Sequence, residues 1–393
     1  MIREKINQAF SILKEENIDC WLIFVRESST THDSTMDLIV GTGVTWQSAF
    51  ILTSSGDSIA IVGSLDKPNQ ETHSNYRQIR GYIKSIGEEL ITALNEIKPN
   101  KIAINYSLDS PAADGLTHGM YLQLKKILQN TPYAGLLISS EQIINKLRGR
   151  KSKTEIEYVK DAIDITIQMF QEVGKFMKIG KSEKEVAQFL INLVNEEGVE
   201  LAWDPEHCPA VFTGPGTAGA HAGPTGREIK PGHVLNIDFG VKKNGYCSDL
   251  QRTWYFMRSG ETAPPPLVEQ GFQVIFDSIT AAAAALKPGR KGYELDMIAR
   301  SYITEHGYEE YPHALGHQIG RDAHDGGGLL APKWERYGTL PDQIIEKNQI
   351  YTLEPRLLIE GYGIATIEEI VVVTADGCEF LSPRQEEIYL VTS

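Results

Sequence analysis

The chain has 393 residues, of which 41% are hydrophobic and 23% charged, and a formal net charge of −14. That length suits two or three domains, and that composition excludes a disordered or low-complexity chain. The acidity argues against nucleic acid or an anionic membrane as a partner, and no apolar run approaches the roughly 18 residues of a membrane span.

The first 150 residues read as an α/β domain. Apolar spacing predicts a helix over residues 2–16, then an apolar strand over 20–25. Residues 46–53 and 58–62 flank the turn Ser54-Ser55-Gly56-Asp57 and predict a hairpin. A short strand over 101–105 and a helix over 120–129 follow. No chemistry stands out here; Trp46 and Tyr106 are expected to be packing residues.

The basic, aperiodic stretch 147–153 marks a boundary, giving domains 1–150 and 151–393. Beyond it, Ser152 with Glu155 and Ser182 with Glu185 form capping boxes that open two helices. The first carries Ile156, Val159, Ile163, Phe170, Val173 and Phe176 on one face and stops at Gly180. The second carries Val186, Phe189, Leu190 and Leu193 and stops at Gly198. Residues 234–239 and 246–256 form a hairpin about Asn244-Gly245, a strong type I′ signal. The order then recurs, with helices over 264–286 and 293–305 and strands over 350–354 and 364–374. Helix–helix–hairpin, twice, predicts an internally duplicated α+β domain.

The four cysteines, Cys20, Cys208, Cys247 and Cys378, contain no Cys-x-x-Cys pair. Free, buried thiols in a reducing compartment are expected, not a zinc ribbon or a disulfide framework. The charged N-terminus lacks the apolar stretch of a signal peptide, so a cytoplasmic protein is expected.

Carboxylates inside apolar strands need a positive partner, because burying one alone costs several kcal/mol. Asp238, Asp249, Glu354, Glu368 and Glu369 all sit in or beside such strands. If Asn244-Gly245 is a two-residue turn, Gly240 faces Asp249. Asp238 lies two residues from Gly240, so both Asp side chains leave one face as diagonal neighbours, roughly 7–8 Å apart, and can meet on an ion. The plainer alternative is pairing with Arg or Lys, but Arg252 falls on the opposite face by parity. Three histidines, His313, His317 and His324, fall within twelve positions among glycines and suggest a lined site; His221 precedes the first hairpin. One His with four carboxylates is a hard, oxygen-rich set that suits manganese, iron or cobalt. Four carboxylates overcharge one divalent ion, whereas two ions, roughly 3.5–4 Å apart, balance them.

Asp238 in Ile237-Asp238-Phe239-Gly240, Asp249, the Gly316-His317-x-x-Gly320 segment, Thr352-Leu353-Glu354-Pro355, and Glu368 followed by Glu369 and an apolar run resemble the "pita-bread" metallopeptidases. Within that family the chain is similar to Xaa-Pro dipeptidases (prolidases) and aminopeptidase P, over residues from about 152 to 393. The N-terminal part resembles the creatinase-type N-terminal domain. The resemblance implies a pita-bread catalytic domain behind an α/β domain, a homodimer, and hydrolysis of the bond before proline in dipeptides or short peptides. It implies two divalent metal ions, manganese first, with Co2+, Fe2+ or Zn2+ as alternatives. Asp238 would chelate one ion, Asp249 and Glu368 would bridge both, and His317 and Glu354 would bind the other. Strand alternation alone does not choose between Glu368 and Glu369; the motif picks Glu368. A metal-bridging water would be the nucleophile, with Glu354 as its base. His221 and His324 would contact the scissile carbonyl and the substrate, and His313 would line the proline pocket.

The sequence departs from the family in three places. Thr366 stands where an Arg is usual two residues before Glu368, Arg356 where Gly follows Glu-Pro, and Arg321 where a hydrophobic residue is usual. The expectation is that Arg356 or Arg321 replaces the missing guanidinium, holding the bridging carboxylate or the substrate. Two rival readings follow: a creatinase-like hydrolase of a small non-peptide C–N substrate, and a non-catalytic binding module on the same fold. The intact ligand set argues against both. Dipeptidase and aminopeptidase are not distinguished, and the segment 326–346, with Trp334 and Tyr337, reads equally as a closing loop or a packed excursion.

Overall fold

The structure is a computed structural model that describes residues 1–73, 75–217 and 223–392. It divides into two compact units, Met1–Arg148 and Gly149–Ser393. No helix among the described residues is long and apolar enough to cross a membrane.

The N-terminal unit is built on a six-stranded mixed sheet. Its strands run in the order Gln78–Tyr82, Ser58–Gly63, Ser48–Thr53, Cys20–Val25, Ile102–Ile104, Leu137–Ser139. Cys20–Val25 is apolar at every position because both faces of the sheet are covered. Trp21, Ile23 and Val25 enter one core with Phe50 and Leu52. Cys20, Leu22 and Phe24 enter the other with Ala49 and Ile51. Each large side chain so buried contributes about 1.5–3 kcal/mol. Trp46 and Tyr106 do not pack as expected: they remain 37% and 41% exposed. Trp46 lies against Gly63 and within 6.2 Å of the Tyr82 ring, but its outer edge is open.

In the second unit both capping boxes form, opening helices Lys153–Phe176 and Glu183–Glu197. Phe170 on the first packs against Phe239 and Trp254 of the hairpin, each at 5.9 Å. Helices Pro266–Ala285 and Gly292–Glu305 cover the second hairpin, burying Phe272, Ile275, Leu295 and Ile303 with Tyr351, Leu357 and Val371. The helix–helix–hairpin order is therefore present twice, and the fold is α+β.

Each hairpin keeps one register but is interrupted. In the first, Asn244 and Gly245 have φ of 53° and 76°, the paired left-handed conformation of a type I′ turn. Lys243 pairs Tyr246 near the turn, and Phe239 pairs Leu250 beyond the interruption, so Gly240 faces Asp249. The expected single return strand is two, Tyr246–Cys247 and Leu250–Phe256. A Cβ on Gly240 would overlap the Ser248 carbonyl, so the chain passes closely there only with glycine. In the second hairpin, Arg356 pairs Thr366 and Leu353 pairs Glu369 in one register, so Glu354 faces Glu368. The expected strand 364–374 is Gly363–Thr366 and Glu369–Val373, which belong to different sheets. Pro355 cannot donate to the ladder, and Glu368 bridges instead to Gln251 of the first hairpin. Both interruptions fall at acidic residues, and the bridge brings the two hairpins together.

Candidate metal centre

Asp249, His317 and Glu368 come from three separate elements, yet each offers a ligand atom within 4.8 Å of the others. His317 Nε2 lies 3.7 Å from Asp249 Oδ2 and 3.3 Å from Glu354 Oε1. The backbone sets this meeting. Glu354 N–H donates to the Leu315 carbonyl at 2.7 Å, and His317 N–H donates to Thr352 Oγ1 at 3.2 Å. Gly316 permits it, since a Cβ there would overlap the Thr352 carbonyl oxygen. His317 Nδ1 faces the Gln318 carbonyl at 3.3 Å. A proton on Nδ1 leaves Nε2 as a lone-pair donor aimed at the carboxylates.

Asp238 projects toward the same cluster. Burial first, then the charge of Glu354, pushes its carboxyl well above the usual carboxylate range. Burial pushes Asp249 up as well, reinforced by Asp238 and Glu354. Glu368 is pushed up by burial and by Asp249, Glu354 and Asp238, with a hydrogen bond from Gln251 opposing. Burial also raises Glu354, but His317, 3.3 Å away, and then His313 and His324 outweigh it and hold it low. Such a cluster is unfavourable without cations. Asp238 Oδ1 and Glu368 Oε1 are buried and accept no hydrogen bond from described residues. Open acceptors, one imidazole lone pair and an oxygen-rich shell fit divalent cations.

The remaining carboxylate, Glu369, faces away. It forms an ion pair with Arg252 at 3.1 Å, both side chains 1% exposed, and accepts from Ser382 Oγ at 2.6 Å and Gln385 N–H at 2.9 Å. The choice that alternation left open is thus made by partners: Glu369 is neutralised and Glu368 is not.

His324 stands edge-on to His317, ring centroids 4.3 Å apart, on the exposed side. Its loop is anchored by the buried Lys151–Asp325 ion pair at 2.6 Å. His313 is half-buried, with Nδ1 2.8 Å from the Ala314 carbonyl. Arg300 holds its segment, donating to the Tyr311 carbonyl at 2.6 Å and the His313 carbonyl at 2.7 Å. His221 lies outside the described residues. The excursion 326–346 is packed where it meets this clamp: Trp334 is stacked by Arg300 at 5.1 Å and by Arg336 at 4.6 Å.

Gln251 is the residue that sequence reasoning missed. Its Nε2 donates to Glu368 Oε2 at 3.1 Å and Glu354 Oε2 at 3.3 Å, and its Oε1 accepts from Thr366 Oγ1 at 2.8 Å. The signal was the hairpin register, which sets Gln251 opposite Asp238. This corrects the expectation that Arg321 or Arg356 holds the bridging carboxylate: a neutral amide, oriented by Thr366, meets Glu368. Arg321 lies instead over the Tyr246 ring at 5.4 Å.

A family model described as metallopeptidase family M24 matches residues 157–375. The uncharacterized peptidase YqhT of Bacillus subtilis (strain 168) is 28% identical over 279 residues, 71% of this chain and 73% of that one. The chain is similar to the solved X-Pro aminopeptidase of Thermotoga maritima MSB8, with a TM-score of 0.73 and 25% identity, covering 98% of this chain and 99% of that one. An Xaa-Pro dipeptidase from Bacillus anthracis superposes over the full length of both chains with a TM-score of 0.75; at 24% identity it speaks for the fold alone.

Proposed function

The chain belongs to metallopeptidase family M24, and from that premise we propose that it hydrolyses the Xaa–Pro bond of dipeptides or short peptides. Asp238, Asp249, His317, Glu354 and Glu368 would hold two divalent ions, manganese first. The observation that supports this best is the buried meeting of Asp249, His317 and Glu368 beside open acceptor oxygens on Asp238 and Glu368. The similarity to an X-Pro aminopeptidase supports proline after the scissile bond. A homodimer and a cytoplasmic setting go with the same family resemblance.

When bound, the ions supply Lewis acidity and lower the pKa of a water. Glu354, held low beside His317, is ionised and takes the proton of the attacking water. It then returns that proton to the proline nitrogen, which leaves as a secondary amine. His324, beside His317 and open to solvent, would donate to the carbonyl oxygen as charge develops there. Gln251 fixes the carboxylate faces of Glu354 and Glu368, and Thr366 fixes Gln251. His313 would border the proline pocket, and burial lowers its pKa.

The test is hydrolysis of an Xaa-Pro dipeptide and an Xaa-Pro-Yaa tripeptide, with added manganese and with chelator. Manganese-dependent cleavage of either is expected. A folded protein that holds metal and cleaves neither overturns the proline reading.

A further inference from the structure

The ribbon formed by Arg356–Ile359 and Gly363–Thr366 has two unlike faces. Leu357, Ile359 and Ala365 are buried and enter the core under helix Pro266–Ala285, where Gly271 meets Leu357 and Ile359. The opposite face carries Arg356, Leu358, Ile364 and Thr366, because directly opposed residues in an antiparallel pair share a side. Thr366 shows where that face points: its hydroxyl bonds Gln251, which bonds Glu354 and Glu368. Arg356 is directly opposite Thr366 and two residues from Glu354, so it stands at the edge of the carboxylate cluster.

Arg356 is half-buried and makes no hydrogen bond or ion pair with a described residue. Two more deeply placed arginines of this unit are spent on the fold. Arg252 pairs with Glu369 and Arg300 with Asp296. Burial of a guanidinium without a partner carries a cost. The charge of Arg356 is felt at His313. Beside it on the same face, Leu358 is 56% exposed and Ile364 is half-buried. The face thus offers one unpaired fork of donors next to an open aliphatic surface, a few residues from the reacting centre.

We propose that Arg356 reads a carboxylate of the substrate, as a specificity-determining residue, with Leu358 and Ile364 against the ring that carries it. A planar guanidinium binds a carboxylate by two parallel N–H···O bonds. The C-terminal carboxylate of a dipeptide is the source that fits a site so close to Glu354, which would make the chain a dipeptidase in preference to an aminopeptidase. This rests on the proposed cleavage before proline, and deepens it.

The test compares the wild type with R356Q and R356K on Ala-Pro, Ala-Pro-amide and Ala-Pro-Asp-amide. Calorimetry of L-proline against L-prolinamide, on the manganese-loaded protein, is run beside it. The wild type is expected to favour Ala-Pro over its amide by at least about 10-fold, carried in KM, the scale of one charge-assisted pair. R356Q is expected to bring the ratio of KM values toward one, and R356K to restore part of it. If Ala-Pro-Asp-amide is the favoured substrate and loses its advantage in R356Q, the carboxylate is a side chain and Arg356 still reads it. A wild type indifferent to the carboxylate, or an R356Q that weakens all three substrates alike, overturns the proposal. If no substrate is cleaved but proline outbinds prolinamide only when Arg356 is present, proline cleavage fails and the role of Arg356 stands. Equal binding of the two ligands overturns the role of Arg356 as well.

Discussion

Thr366 Oγ1 donates to Gln251 Oε1 at 2.8 Å, and this one bond decides which way the Gln251 amide faces. With its oxygen occupied, Gln251 turns its nitrogen to Glu354 and Glu368. T366V removes the donor and leaves the amide free to flip, placing an oxygen against two carboxylates. Partners behind metal ligands are worth about 10–100-fold in metal affinity. T366V and Q251M are therefore expected to weaken manganese binding by that order, measured by calorimetry, while T366S retains it. Unchanged affinity in Q251M would show that the amide does not position these ligands.

Arg252 and Glu369 form a buried ion pair on the side away from the cluster. Removing one partner strands the other charge, at about 3–5 kcal/mol. E369A and R252M are each expected to lose about that much stability in urea unfolding. R252M/E369L, which strands no charge, is expected to lose less than the sum. A cost below about 1 kcal/mol for E369A would show that Glu369 does not neutralise a buried Arg252.

Gly240 and Gly316 stand where neighbouring carbonyl oxygens leave no room for a Cβ. Overpacking costs about 1–3 kcal/mol, sometimes more. G240A is expected to displace Asp249 and G316A to displace His317, so both should lower the melting temperature and weaken metal binding together. A G316A protein with wild-type stability and wild-type metal affinity would show that the close approach is not required.

Glu185 is held down to about 2, first by its hydrogen bond from Lys181, then by the backbone and hydroxyl of Ser182. A carboxyl with a native pKa below its ordinary 4.5 adds stability above that value and loses it as pH falls toward the native one. E185Q is expected to lower the melting temperature of the catalytic unit at neutral pH, with the gap to wild type closing between pH 4.5 and pH 2. A gap that stays constant across that range would show that the charge of Glu185 contributes nothing.

Local chemistry made much of the fold legible. The strand Cys20–Val25 follows from a run of apolar residues between polar neighbours, and the first hairpin's register follows from Asn244-Gly245. That register alone set Gly240 opposite Asp249. The interruption before Glu369 was not legible, because Ile367 and Ile370 keep the strand pattern running through it; its cause is the bridge from Glu368 to Gln251, distant in sequence. Strand alternation could not separate Glu368 from Glu369 either, since the difference lies in Arg252 and Ser382. Gln251 belongs to no motif; in the sequence only the hairpin register, which sets it opposite Asp238, marks it. Trp46 looked like a core residue because aromatic residues usually are, but its place at the strand's edge leaves it open.

The buried carboxylates and His317 would hold two metal ions. The most direct test is the metal content of the purified chain after loading with manganese and desalting, by mass spectrometry, for the wild type, H317A and E368Q. Two ions per wild-type chain and a clear loss in each variant are expected, with all three proteins folded by circular dichroism. A folded wild type that retains no metal, or variants that retain as much as the wild type, would contradict two-metal binding by these residues.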